Sequence, residues 1–367
     1  MIKYPNYDRS ILSIASSVLK HFGVTNCNHK TLFEFDEMLN KNYQNIIVML
    51  FDGMGVSALN EHLDETAFLR KHYVRSLSSV FPSTTVSATT SITSGYSPLE
   101  SAWLGWFLYF KEVNDNVAVF KNSLQKTRTF FSDYNIADTY IPVKSIFERI
   151  EEVNGKDTAF FVSPFSELKV QSINDISNTV FSLSKNDKKI YIYTYWNQPD
   201  EAMHYFGVSS KEVREQIRQI NDEIEKLCNR LKNSLVIVTA DHGLCDGVNE
   251  YLEDYPKIVA LLKKLPSVEP RALSFFVKEG KQEPFKSEFN RIFGDSFRLM
   301  EKEEVFRENL FGFGTPHKRV EDFVRDFFAV AIGNKSLEIK REGKSFIGVH
   351  AGLTDAEMTV PFIAIET

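Results

Sequence analysis

Cysteine is scarce in this chain of 367 residues. Cys27, Cys228 and Cys245 are odd in number and far apart, which argues against a disulfide framework and fits a reducing, cytoplasmic setting. Long apolar runs are missing too. The most apolar stretch, Ala102 to Phe110, is far shorter than the roughly 20 residues that cross a bilayer, so a soluble chain with no membrane partner is expected. Nor is there an excess of one charge. The chain has 43 basic against 49 acidic residues and a net charge of -6, so no stable nucleic-acid complex is expected and any phosphate must be bound by local features. Glycine is sparse, at 17 residues against 31 Phe, and there is no repeat or low-complexity tract. What remains is a chain that is 43% apolar, enough for a substantial core in one large domain or two.

Three short apolar runs, Ile46 to Phe51, Tyr191 to Trp196 and Leu235 to Thr239, read as buried strands of a parallel sheet. Further strands are expected at Ala159 to Val162, Phe327 to Ile332 and Val360 to Ile365. Helical periodicity alternates with them. From Lys211 to Lys232 the residues Val213, Ile217, Ile220, Ile224, Leu227 and Leu231 make one apolar stripe. Near the start, Ile11, Leu12, Ala15, Val18, Leu19 and Phe22 predict an amphipathic helix rather than a signal peptide, capped by Asp8 or Ser10, with Ser13, Ser17 and Lys20 on a solvated face. The fold class is therefore α/β. Between about Leu252 and Thr315 the pattern changes, and a small α+β cap is expected over 253–315, inserted into a core of 1–252 and 316–367.

The residues that can do chemistry follow the strands. Asp52 ends the first run in LFDGMG, and Asp241 and His242 follow the third in TADHG. Asp200 and His204, four apart in PDEAMH, follow the second and would share one side of a helical turn. His350 lies in the Gly-flanked GVHAG. Ligands of open α/β sheets bind beyond the carboxyl ends of strands, and three carboxylates with three imidazoles are suitable donors for two divalent ions. Each motif alone has an ordinary reading as a turn, a cap or a surface histidine. A two-metal hydrolase clamps a phosphoryl group between its ions, and its nucleophile could come from the hydroxyl-rich FPSTTVSATTSITSG, Phe81 to Gly95, at a helix start.

In this order, FDGMG, FPSTTVSATTSITSG, PDEAMHYFG, TADHG and GVHAG resemble the type I phosphodiesterase and nucleotide pyrophosphatase family of the alkaline phosphatase superfamily. The resemblance implies an alkaline-phosphatase-like central mixed, largely parallel sheet between helices. It also implies two metal ions, zinc with manganese as the alternative. Asp52, Asp241 and His242 would hold one ion, and Asp200, His204 and His350 the other. The nucleophile falls on Thr85, which would also bind metal and pass through a phospho-threonine intermediate on a diester or nucleotide substrate. The resemblance also sets Ala88 beside the phosphate, where an Asn is expected. A backbone N–H, or the hydroxyl of Thr84 or Thr89, would then supply the missing donor, and Trp106 and Lys111, with Trp103 and Tyr109, would wall the substrate pocket. His317, Lys318 and Arg319 form a basic cluster that could meet an anion, and Cys245 is expected to be a spectator. The alternatives are a phosphomonoesterase or phosphonate hydrolase on the same scaffold, or a silent metal-binding module.

Overall fold

In the computed structural model the described residues are 1–131, 133–341 and 345–367, and the counts below are of those residues. Six strands form the central sheet, in the order Tyr73–Ser78, Thr359–Glu366, Ser234–Thr239, Asn45–Phe51, Ile190–Trp196, Ala159–Val162. Five run parallel, and Thr359–Glu366 alone is antiparallel to both of its neighbours. Asn45–Phe51 and Ser234–Thr239 are buried along their whole length. That explains why they read as continuous apolar runs rather than alternating ones.

Two groups of helices pack around the sheet. One is built on Ile11–His21 with Phe33–Leu39, Thr85–Ser94 and Ile146–Asn154, the other on Lys211–Cys228 with Val56–His62 and Ile173–Leu183. The long stripe is confirmed, since Val213, Ile217, Ile220, Ile224 and Leu227 are all buried. The first helix departs from expectation on its polar side. Ser13 and Ser17 are buried, because neighbouring backbone covers them: Ser13 donates to the Tyr7 carbonyl and Ser17 accepts the Leu32 N–H at 2.9 Å. Only Lys20 of that face is exposed.

A second sheet is antiparallel, in the order Phe297–Glu301, Phe327–Ala331, Ala272–Phe275, Ser267–Glu269, Phe107–Phe110, Asp115–Ala118, Ser123–Leu124. Phe327–Ala331, expected as a strand from the sequence, belongs to this sheet. Three of these seven strands fall within 253–315, and the other four come from outside that segment. Part of the phenylalanine excess sits on this sheet. Phe275, Phe285, Phe289, Phe293, Phe297 and Phe327 pack with ring centroids 5.0 to 6.2 Å apart, mostly edge-on or tilted. No described helix is long and apolar enough to cross a membrane.

The parallel strands set the position of the functional residues. Asn45–Phe51, Ile190–Trp196, Ser234–Thr239 and Tyr73–Ser78 all point the same way, so the segments that leave their carboxyl ends emerge along one edge. Those segments begin with Asp52, Asn197, Ala240 and Ser79.

Candidate active site

Asp52 follows its strand directly, and the chain then turns at Gly53, with φ +73°. A Cβ there would stand 2.9 Å from Asp200 Cβ and 2.6 Å from Leu244 Cδ1, so only glycine lets these two strand ends approach. The turn also gives Gly53 N–H to Asp241 Oδ1 at 3.0 Å, and His242 N–H reaches the same oxygen at 2.9 Å. The other Asp241 oxygen and Asp200 Oδ1 are buried without a hydrogen-bond partner among the described residues. Buried carboxylate oxygens left open in this way are poorly explained by packing alone and fit coordination of a cation.

The three imidazoles are held alike. Nδ1 of His204 meets the Gly348 carbonyl at 2.7 Å, that of His242 the Gly243 carbonyl at 3.1 Å, and that of His350 the Ser83 carbonyl at 3.2 Å. A carbonyl partner requires Nδ1–H, which leaves Nε2 as the bare ligating nitrogen. Those Nε2 atoms face the carboxylates: His204 to Asp200 Oδ2 at 3.2 Å, His242 to Asp52 Oδ1 at 3.4 Å, His350 to Asp200 Oδ1 at 3.9 Å. Donor atoms of Asp52, Asp241 and His242 lie within 4.8 Å of one another, and so do those of Asp200, His242 and His350. His204 enters through its contact with Asp200.

Charge is concentrated at this point. Burial, with the nearby carboxylates of Asp241 and Asp200, holds Asp52 well above the usual carboxylate range. Burial acts the same way on Asp200, but His204, His350 and His242 outweigh it and Asp200 is held low. Burial and the neighbouring His242 push His350 down, which favours the neutral, ligating form.

Thr85 is the first residue of the Thr85–Ser94 helix. Its Oγ1 stands 3.4 Å from both Asp52 oxygens and 3.3 Å from His242 Nε2. The six donors and the candidate nucleophile therefore converge on one place.

Residues 46–261, more than half of the chain, match the family described as Type I phosphodiesterase / nucleotide pyrophosphatase. The chain belongs to that family. Solved structures agree on the fold. Murine ectonucleotide pyrophosphatase / phosphodiesterase 5 is 17% identical with a TM-score of 0.65, covering 88% of this chain and 88% of that one. An inactive variant of that murine protein in complex with AMP is 16% identical with a TM-score of 0.64, over 88% of this chain and 87% of that one. Phosphonoacetate hydrolase from Sinorhizobium meliloti, in complex with phosphonoformate, is 17% identical with a TM-score of 0.65, over 87% and 89%. No curated protein matches the chain. As a member of the phosphodiesterase and nucleotide pyrophosphatase family the protein is a hydrolase, of a metal-dependent class.

Around this family centre the other sequence candidates fall in different places. Thr84 is buried and donates its hydroxyl to Glu269 Oε1 at 2.8 Å, and Thr89 donates to the Thr85 carbonyl one helical turn back at 2.5 Å. Ala88 is fully buried in the main apolar core, three residues on from Thr85 along the same helix. Lys111 pairs with Asp322 at 3.5 Å and lines a groove with Tyr109, Lys264 and Arg325 that none of the six donors borders. Trp103 donates its indole N–H to the Ile141 carbonyl at 2.9 Å, and Trp106 packs edge-on against Phe120. Arg319 is clamped by Glu112 at 2.6 and 2.9 Å, which removes it as an anion site. Cys245 lies outside the donor groups, its thiol pushed up by burial to about 11.

Three functional neighbours went unread in the sequence. Tyr195 donates its phenol to Asp52 Oδ2. The alternation of Tyr191, Tyr193 and Tyr195 along one strand is the only signal that pointed to it. Glu269 carries no motif. Burial pushes its carboxyl up to about 7. Glu357 accepts from Gly352 N–H at 2.8 Å behind His350 and pairs with Arg271; its one sequence signal is the capping box it forms with Thr354.

Proposed function

We propose that this protein hydrolyses phosphodiester or nucleotide pyrophosphate bonds through covalent catalysis by Thr85. The observation that carries the reading is the Thr85 hydroxyl, 3.3 to 3.4 Å from His242 and Asp52 at the meeting point of six donors. Thr85 Oγ1 forms a bond to phosphorus as the ester or anhydride oxygen departs, and water then cleaves the phospho-threonine. Asp52, Asp241 and His242 would hold one divalent ion, and Asp200, His204 and His350 the other. The mixed N and O donor set suits zinc, with manganese as the alternative. When bound, such ions supply Lewis acidity that activates an alcohol or water at neutral pH and offsets phosphoryl charge.

The protein's own contribution is positioning. Carbonyls lock each imidazole tautomer, amides fix Asp241, and the helix start places Thr85 with its first-turn N–H groups directed at incoming phosphate. The described side-chain hydrogen bonds and ion pairs of the six donors, Thr84 and Thr85 run to Tyr195, Glu269, backbone groups and one another, with no Lys or Arg among them. That favours a singly charged diester over a monoester, whose extra negative charge asks for a side-chain cation. We place the protein in the cytoplasm on its cysteine usage.

The test is a comparison of bis-para-nitrophenyl phosphate, para-nitrophenyl phosphate and thymidine 5'-monophosphate para-nitrophenyl ester with zinc- or manganese-loaded protein. Faster turnover of the two diesters is expected. A preference for the monoester would overturn the substrate reading.

A further inference from the structure

Thr84 is the N-cap of the Thr85–Ser94 helix, in extended conformation at φ -135° and ψ 151°, yet its side chain makes no cap hydrogen bond. An N-cap hydroxyl ordinarily accepts an N–H from the first turn. Here the hydroxyl donates to Glu269 Oε1 at 2.8 Å, and the same oxygen accepts the Trp106 N–H at 2.7 Å. Glu269 is nine-tenths buried. The backbone presses on it as well, because a Cβ on Gly105 would lie 3.0 Å from Glu269 Cγ.

We propose that Glu269 is a positioning residue for the nucleophile, acting through Thr84. The proposal rests on the reading of Thr85 above. Glu269 closes the strand Ser267–Glu269 of the second sheet, and two residues on Arg271 is buried and bound through Nε and Nη2 to Glu357. The carboxylate is thus mounted on a rigid element, while Thr84 sits one peptide away from the reacting hydroxyl. A buried hydroxyl bound to a carboxylate is a strong, directional contact. Without it, nothing ties residue 84 to the second sheet, and in E269A the Thr84 hydroxyl is also free to cap its own helix. The peptide between Thr84 and Thr85 then rotates, and Thr85 Oγ1 moves away from Asp52 and His242. Small misplacements of a reacting group lower turnover steeply. The second sheet therefore does more than cover the site, since it sets the direction of attack.

The test uses the full chain loaded with zinc, with E269A, E269Q, T84V and the T84V/E269A pair, and bis-para-nitrophenyl phosphate as the probe. E269A and T84V should each lower kcat by about 10- to 100-fold with KM changed less than about threefold. Gln keeps an acceptor oxygen for both N–H and O–H, so E269Q should restore kcat to within about threefold of the parent. The double variant should be no slower than the slower single, because both remove one bond. E269Q as slow as E269A, with T84V near the parent, would overturn the proposal in favour of a direct action of the Glu269 charge on substrate. Parent-like kcat in E269A and T84V would overturn it as well. Should E269A fail to fold, T84V and E269Q decide. Amide exchange over residues 83–88 separates this claim from the function reading: a parent inactive on every ester would remove the function. Faster exchange in T84V than in E269Q would still support the positioning contact, and equal exchange would contradict it.

Discussion

Tyr195 donates its phenol to Asp52, the carboxylate that stands 3.4 Å from the Thr85 hydroxyl. One Asp52 oxygen is thereby fixed in direction from behind, as partners of ligating groups commonly are. Y195F should weaken metal retention by about 10- to 100-fold while leaving the fold intact. Titration with a competing zinc chelator measures it, and an unchanged affinity would mean that the phenol orients nothing.

Two divalent ions per chain are expected, on the strength of two overlapping donor groups and two unpartnered buried carboxylate oxygens. Elemental analysis after zinc supplementation should give about two equivalents. Removing them with a chelator should abolish turnover and lower Tm, since ions bound only by the folded state stabilise it by mass action. One equivalent or none would contradict the two-ion arrangement.

Much of this centre was legible because its residues follow strands that are easy to read. Asp52, Asp200, Asp241 and His242 lie just past three continuous apolar runs, and a parallel sheet with no exposed face leaves such runs unmistakable. The second sheet was harder. Its strands Phe107–Phe110 and Phe327–Ala331 look like core strands in composition, and only pairing partners distant in sequence assign them to another layer. Glu269 could not be found by pattern, and Glu357 shows only as the last residue of a capping box begun by Thr354. A single buried carboxylate has no periodicity, and its meaning comes from the Thr84 or Arg271 that the fold sets against it.

Residue 88 is Ala where the resemblance expects Asn. Ala88 is fully buried in the core, where an amide would meet apolar side chains. A88N should cost about 1–3 kcal/mol of stability for an unsatisfied buried amide. Urea unfolding and diester kinetics separate packing from contact with the phosphate: a stable variant with altered kcat would place residue 88 at the site.

Arg271 and Glu357 form a buried pair with both contacts at 2.7 Å, joining the second sheet to the short helix Asp355–Met358, whose Glu357 also holds the Gly352 N–H beyond His350. Removing one partner strands a charge. E357A should therefore destabilise the protein by about 3–5 kcal/mol. A loss below about 1 kcal/mol in urea unfolding would show that the pair is not what joins these elements.

Glu269 predicts a pH dependence in metal-free protein. Burial raises its carboxyl from 4.5 to about 7 in the folded state, so between those values the folded chain holds a proton that the unfolded chain has lost. Stability from this group is complete below pH 4.5 and falls as pH rises to about 7, by an amount on the order of 3 kcal/mol. E269Q cannot ionise and should lack this slope. Unfolding curves of the two proteins that run parallel from pH 4.5 to 7.5 would contradict it.

The most direct test of Thr85 as nucleophile is to quench turnover of thymidine 5'-monophosphate para-nitrophenyl ester in acid and map the adduct by peptide mass spectrometry. A nucleotidyl group on Thr85 is expected, absent in T85A, which should keep its metal yet lose turnover by at least about 10³-fold. An adduct on another residue, or T85A turning over at the parental rate, would contradict the account.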